Sequence, residues 1–366
     1  MQPWLGGQWG NPSSLYHEGR LAKAAVEAAR AQVAAAVGAQ PREILFTSGG
    51  TEANHLALLG ATEPLAQRGR HVVISAIEHT CLQNAAQHLM LRGYTVSVAP
   101  VTREGVVDLD RLAALLRPET ILVSVMAANN ETGVIQPLAR IAALAHQHGA
   151  LCHTDAAQAL GKIPVSVRDW QVDLLSLAAH KLYGPQGVGA LYVRSSVRLQ
   201  PLFGGGHQEF GLRAGTEAMA PIVGFGAAAT TTVAHLAEAS QRLTALRERL
   251  WRNLSSRVRG LERHGAAEAC VPNTLNVGVS GVDGHVLLMQ LDLAGIAVST
   301  GSACSSGSTE PSPVLLAMGR SEAQAKSAIR FSLGRLTTEA EIDAAVETTA
   351  RVVERLRTTA TGPVLV

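Results

Sequence analysis

Short apolar runs alternate with amphipathic helical stretches along most of this chain of 366 residues. The alanine-rich stretch from Leu21 to Val37 predicts a helix closed by Gly38, and residues 43–47 predict a short buried strand. A Gly-Gly turn and a helix from about Thr51 follow. Further strands are predicted at 71–75, 95–99, 121–126, 150–153, 174–177 and 190–193, with helical patterns at 81–92, 109–116 and 137–148 between several of them. Apolar strands separated by helices predict an α/β fold with a large, mostly parallel sheet covered by helices on both faces. Beyond the glycine-rich stretch 204–215 a long helical region runs to about Val258. The remainder changes character: a strand at 274–279, a helix at 285–291, strands at 295–299 and 329–333, and a final helix. That pattern predicts a smaller α+β domain, so the expected division is a large domain of residues 10–235 and a C-terminal domain of residues 236–366.

Composition narrows the functional classes. Hydrophobic residues make up 47% of the chain and charged residues only 16%, which suggests that another subunit covers part of the surface. Basic and acidic residues nearly balance, 31 against 29, and no basic stripe stands out, so nucleic acid is not an expected partner. The opening lacks the charged and apolar regions of a secretory signal. The uncharged stretch from Met219 to Leu236 contains threonines and glycines and reads as a buried helix with its approach, not as a membrane span. Four widely spread cysteines without a C-x-x-C pair argue against a zinc ribbon or a dithiol centre, and fit a reducing cytoplasm.

In open α/β sheets, ligands sit at the carboxyl ends of the strands. The polar residues of this chain collect there: SGGTEAN from Ser48, Glu78-His79, NNETG from Asn129, Asp155 with Gln158, and His180-Lys181. Gly50 and Thr51 at a helix start offer amides and a hydroxyl to an anion. Lys181 follows an apolar strand, and a lysine held near a low-dielectric interior has a depressed pKa and a nucleophilic amine; alone, it would read as a surface residue before a turn. Asp155 ends another apolar strand. A buried carboxylate needs a cationic partner, and a protonated pyridine nitrogen is one, although a helix N-cap is an equally direct reading. A Schiff-base lysine with an acid on the ring nitrogen is the combination that pyridoxal phosphate requires. Cys304 lies in AVSTGSACSSGST, without the bulky neighbours of an inert core thiol, and reads as a nucleophile. Cys152 and Cys270 read as structural, and Cys81 as helix packing.

Nine segments occur in one order: GNPSS, FTSGGTEAN, IEHT, NNETG, HTDAAQ, AAHKLYGPQG, GLRAGTE, STGSACSS and IRFSLGR. Together they resemble the cysteine desulfurases of the NifS/IscS type, pyridoxal-phosphate enzymes of the class V aminotransferase family with the type I fold. The resemblance implies that Lys181 forms the Schiff base, Asp155 pairs with the pyridinium nitrogen and Gln158 bonds the ring hydroxyl. His79 would stack on the ring and shuttle protons. Gly50, Thr51 and His180 would hold the phosphate, joined by Thr216 from the other subunit of a homodimer. Asn130 and Arg330 would grip the substrate carboxylate, and Cys304 would take sulfur from L-cysteine as a persulfide, leaving alanine. Sulfur-acceptor proteins such as an iron–sulfur scaffold are the implied partners. Two departures from the family pattern are visible: Ala178 replaces a serine that usually bonds the phosphate, and only MQPWLGGQW precedes GNPSS. The competing readings are a selenocysteine lyase or another class V enzyme, and a degenerate scaffold without catalysis.

Overall fold

The computed structural model describes residues 1–301 and 310–360. They form two compact units. The first comprises Met1–Pro100, Val107–Ala128 and Gln136–Leu236; the second comprises Val101–Val106, Asn129–Ile135 and the described part of Ala237–Val366.

The first unit is built on a seven-stranded sheet: β1 (Ile44–Thr47), β2 (His71–Ser75), β3 (Thr95–Ala99), β4 (Thr120–Ser124), β5 (Leu151–Asp155), β6 (Leu174–Ala178) and β7 (Gly189–Val193), in the order β1-β7-β6-β5-β4-β2-β3. The run from β6 to β3 is parallel, whereas β7 is antiparallel to both β6 and β1. The sheet is therefore mixed. Only residues 179–188 separate β6 from β7, and a parallel return would need a crossover of about a dozen residues or more. Every residue of β2, β4, β6 and β7 is buried, as expected for strands covered on both faces.

The first long helix, His17–Val37, starts earlier than its apolar pattern indicates. It ends at Gly38, whose φ of +72° lets its N–H return to the Ala34 and Ala35 carbonyls. It packs against the helix Met219–Ala234, where a Cβ on Gly226 would lie 2.8 Å from the Ala29 Cα. Only one face of that second helix is buried, through Ala220, Ile222, Phe225, Gly226 and Ala229. Among the described residues no single helix is long and apolar enough to cross a membrane.

The second unit contains an antiparallel sheet of β8 (Leu261–His264), β9 (Thr274–Val279) and β10 (Ala328–Ser332), in the order β10-β9-β8. Its core joins Leu246, Leu250 and Leu254 of one helix to Val277, Ile329, Phe331, Ile342 and Val346. The strand expected at 295–299 does not form. Gly295 takes a φ of +82° behind the helix Gly284–Leu293, Ile296 N–H returns to Leu291, and only Ser299 bridges to Arg330.

Candidate active site

Strands β1, β2, β4, β5 and β6 run in one direction, so their carboxyl ends share one edge of the sheet. Asp155 is the last residue of β5. Glu78 and His79 follow β2 at the start of the helix Thr80–Leu91, and His180 and Lys181 lie in the 3-10 turn Ala179–Leu182 that follows β6. Gly50 and Thr51 open the helix after β1.

Asp155 is 6% exposed. Its Oδ2 accepts a hydrogen bond from Asn54 Nδ2 at 2.7 Å, and its Oδ1 accepts one from the Ala157 amide at 2.9 Å. The buried-carboxylate reading holds, and the helix N-cap reading does not: a turn, not a helix, follows β5, and the side chain serves that turn while remaining inside. Among the described residues no arginine or lysine forms an ion pair with it. Near it lies Glu78, also buried. Glu78 Oε1 accepts from Ser75 Oγ at 2.5 Å and from the Met126 amide at 2.8 Å, while Oε2 has no hydrogen-bond partner among the described residues. Burial, reinforced by the Asp155 charge, pushes the Glu78 carboxyl up to about 8. At neutral pH a protonated acid therefore sits beside a carboxylate, an arrangement in which environment separates the roles of two like groups.

His79 caps its helix. Its Nδ1 accepts from the Cys81 amide at 3.2 Å and lies 3.0 Å from Cys81 Sγ. In that geometry the neutral ring carries its proton on Nε2. Cys81, read from sequence as helix packing with a position near the site as the alternative, is buried in its helix and also reaches the site: its Sγ accepts from Asn54 Nδ2 at 3.3 Å, so a chain of contacts runs Asp155–Asn54–Cys81–His79. Burial pushes this thiol up to about 11, so it remains a protonated donor. Asn54 Oδ1 is buried with no hydrogen-bond partner among the described residues.

Lys181 and His180 are exposed. The expected burial of the lysine is thus not found, because the turn after β6 leaves the sheet before reaching it; the amine is accessible instead. Gln158 is half-buried and accepts from Lys162 Nζ at 2.5 Å. Thr51 is exposed, and its side chain contacts Cys81. Glu52 reaches back to the Ser48 amide at 2.7 Å and pairs with Arg213 at 2.9 Å, tying the start of this helix to the loop that carries Thr216, itself exposed. A Cβ on Gly50 would stand 3.4 Å from Ala178 Cβ, where a serine hydroxyl was expected.

Asn130 and Arg330 belong to the second unit and are brought together there. Arg330 Nη1 donates to the Asn130 carbonyl at 2.7 Å, and both residues are half-buried. Cys304 lies outside the described residues. Sequence reasoning gives Asn54, Glu78 and Cys81 no role in the site, although Glu78 and the segment holding Asn54 stand among the polar groups at the carboxyl ends of the strands.

Comparison with known proteins accords with this geometry. The model of the family described as aminotransferase class-V matches residues 1–345. The cysteine desulfurase IscS of Dictyoglomus turgidum is 43% identical over 358 residues, covering 98% of this chain and 91% of its own. The mitochondrial cysteine desulfurase of Arabidopsis thaliana is 46% identical over 353 residues, covering 96% and 78%. A solved NifS-like protein superposes with a TM-score of 0.91 at 36% identity, covering 97% of this chain and 94% of that one. With that much of its length shared, and with the acid, histidine and lysine gathered at one sheet edge, the chain belongs to the class V aminotransferase family.

Proposed function

We propose that the protein is a pyridoxal-phosphate-dependent cysteine desulfurase. The observation that carries the reading is Asp155: a buried carboxylate with no ion pair among the described residues, one strand away from an accessible lysine. A pyridinium N–H supplies the missing cation. The donor set fits the rest of the coenzyme: Thr51 and the first-turn amides at Gly50 for a phosphate, with His180 near them, His79 for the ring face and Gln158 for the ring hydroxyl. Ala178 removes one hydroxyl from the phosphate cradle, a loss of about 1 kcal/mol. Leu15 and Trp9 are 89% and 78% exposed, which supports a second copy covering this face and contributing its own Thr216.

The bound coenzyme supplies an electron sink that acidifies the substrate Cα–H and weakens its Cβ–S bond. Asp155 against the ring nitrogen keeps the sink electron-poor, while the protonated Glu78 beside it adds no second charge. Lys181 Nζ anchors the aldehyde carbon and afterwards carries the Cα proton. His79 stacks and donates through Nε2, because Nδ1 is committed to Cys81. Asn130 and Arg330 hold the substrate carboxylate by a bidentate contact. Cys304 thiolate attacks the substrate sulfur: an S–S bond forms, the Cβ–S bond breaks, and its electron pair and a proton end on the methyl group of alanine. The persulfide then passes to an acceptor thiol, such as that of an iron–sulfur scaffold.

The test is borohydride reduction of the holoprotein. The expected result is bleaching of the yellow absorbance, with the reduced pyridoxyl group on the peptide that contains Lys181. A label on another lysine, or none, would remove the reading.

A further inference from the structure

Within the second unit, a buried carboxylate unused by this chemistry stands beside Asn130. Glu131 is 2% exposed. Its amide and that of Thr132 both donate to Asn129 Oδ1 at 2.9 Å, and its carbonyl accepts from Asn276 Nδ2 at 3.2 Å, so its backbone is held on two sides. Its Oε2 accepts from Ser312 Oγ at 2.5 Å. The same oxygen lies 3.4 Å from the point where a Cβ on Gly301 would stand, and Ser312 Cβ lies 3.6 Å from it. Just before Gly301, Ser299 exchanges both backbone hydrogen bonds with Arg330, at 3.1 and 2.6 Å. Gly301 and Ser312 therefore meet at one carboxylate, and the chain between them contains Cys304. Burial pushes the Glu131 carboxyl up from its ordinary value, and the Ser312 hydroxyl and then the Arg330 charge only partly offset that, so keeping the group inside is costly. What the cost secures is the joining of these two points.

We propose that Glu131 is a positioning residue for the sulfur-transfer step, pinning together the two ends of the stretch that delivers Cys304. This rests on the assignment of Cys304 as the acceptor thiol. Glu131 touches neither substrate nor coenzyme in this role; it acts through Ser312 and Gly301. Loosening the pin leaves substrate binding intact and slows sulfur transfer to Cys304, because productive geometry depends on placement.

The experiment mixes holoenzyme with L-cysteine in a single turnover, following the coenzyme absorbance and, by alkylation and mass analysis, persulfide on Cys304. Glu131→Ala and Ser312→Ala should each form persulfide about tenfold more slowly, while the initial absorbance change stays within about twofold of wild type. Glu131→Gln, which keeps an acceptor for the Ser312 hydroxyl, should recover most of the rate. If Glu131→Ala does not fold, Ser312→Ala carries the same comparison. Wild-type rates of persulfide formation in the alanine variants, equal slowing of the absorbance change, or failure of the glutamine to rescue would each overturn the pin. Alanine production by wild type without persulfide on Cys304 would instead overturn the thiol assignment, and the pin with it.

Discussion

The two ends of the large sheet use similar residues to opposite effect. At the amino ends of the parallel strands, charges are consumed locally. Arg68 donates to the Gly149 carbonyl and, at 2.6 Å, to that of Thr120. Arg70 stacks over Tyr94 and donates to the Arg92 carbonyl. Asp173 accepts from the Cys152 amide and from His146, both at 2.8 Å, and pairs with Arg194 at 3.1 Å. At the carboxyl ends, polar groups are buried without that closure: Glu78 Oε2, Asn54 Oδ1 and Thr154 Oγ1 lack hydrogen-bond partners, and Asp155 lacks an ion pair among the described residues. Burying a polar group without its partner costs free energy. One end of the sheet is finished by the chain itself, and the other is the end to which the proposed function assigns the coenzyme.

That contrast can be broken by substitution. If Asp155 pairs with the coenzyme ring nitrogen as proposed, Asp155→Asn should lower turnover of L-cysteine on the order of 100-fold or more, with weaker coenzyme retention. Activity within a factor of about two of wild type would remove Asp155 from the mechanism. Asp173→Asn, at the opposite end, should cost about 2–3 kcal/mol of stability by leaving Arg194 and His146 without their carboxylate, while kcat/KM on the folded protein stays unchanged. Chemical denaturation alongside steady-state assays separates the two outcomes.

The third substitution sharpens the comparison through pH. The Glu78 carboxyl holds its proton up to about 8 in the folded chain, against an ordinary value of 4.5. Its contribution to stability is fully present below 4.5 and is lost as pH rises through 8, because the folded state then binds more protons than the unfolded one. Glu78→Gln keeps a neutral side chain and lacks this loss. Its stability relative to wild type should therefore climb between pH 5 and 8, by about 3 kcal/mol. Melting curves of the two proteins that stay parallel across this range would contradict a proton-bearing Glu78.

Much of the large sheet was legible because buried strands flanked by turns leave compact apolar runs, and β2 and β3 match their expected bounds. The reversal of β7 was not, since an apolar run carries no direction. The sequence of β8, LERH, lacks any apolar alternation, and the run at 295–299 misled because Gly295 serves as a helix terminator. In the site, Asp155 and Lys181 stood out as polar residues ending apolar strands. Asn54 and Cys81 did not: each sits at a helix position that periodicity assigns to packing, and the contact from Asn54 to Asp155 spans 101 residues. The exposure of Lys181 depends on how its turn leaves β6, which local sequence does not encode.

The most direct test incubates the purified, coenzyme-loaded protein with L-cysteine in the absence of any other thiol, and measures amino-acid product and Cys304 modification together. The account requires alanine and Cys304 persulfide in equimolar amounts, with neither formed by the Lys181→Ala variant. Pyruvate in place of alanine, or alanine formed by a chain without Lys181, would contradict it.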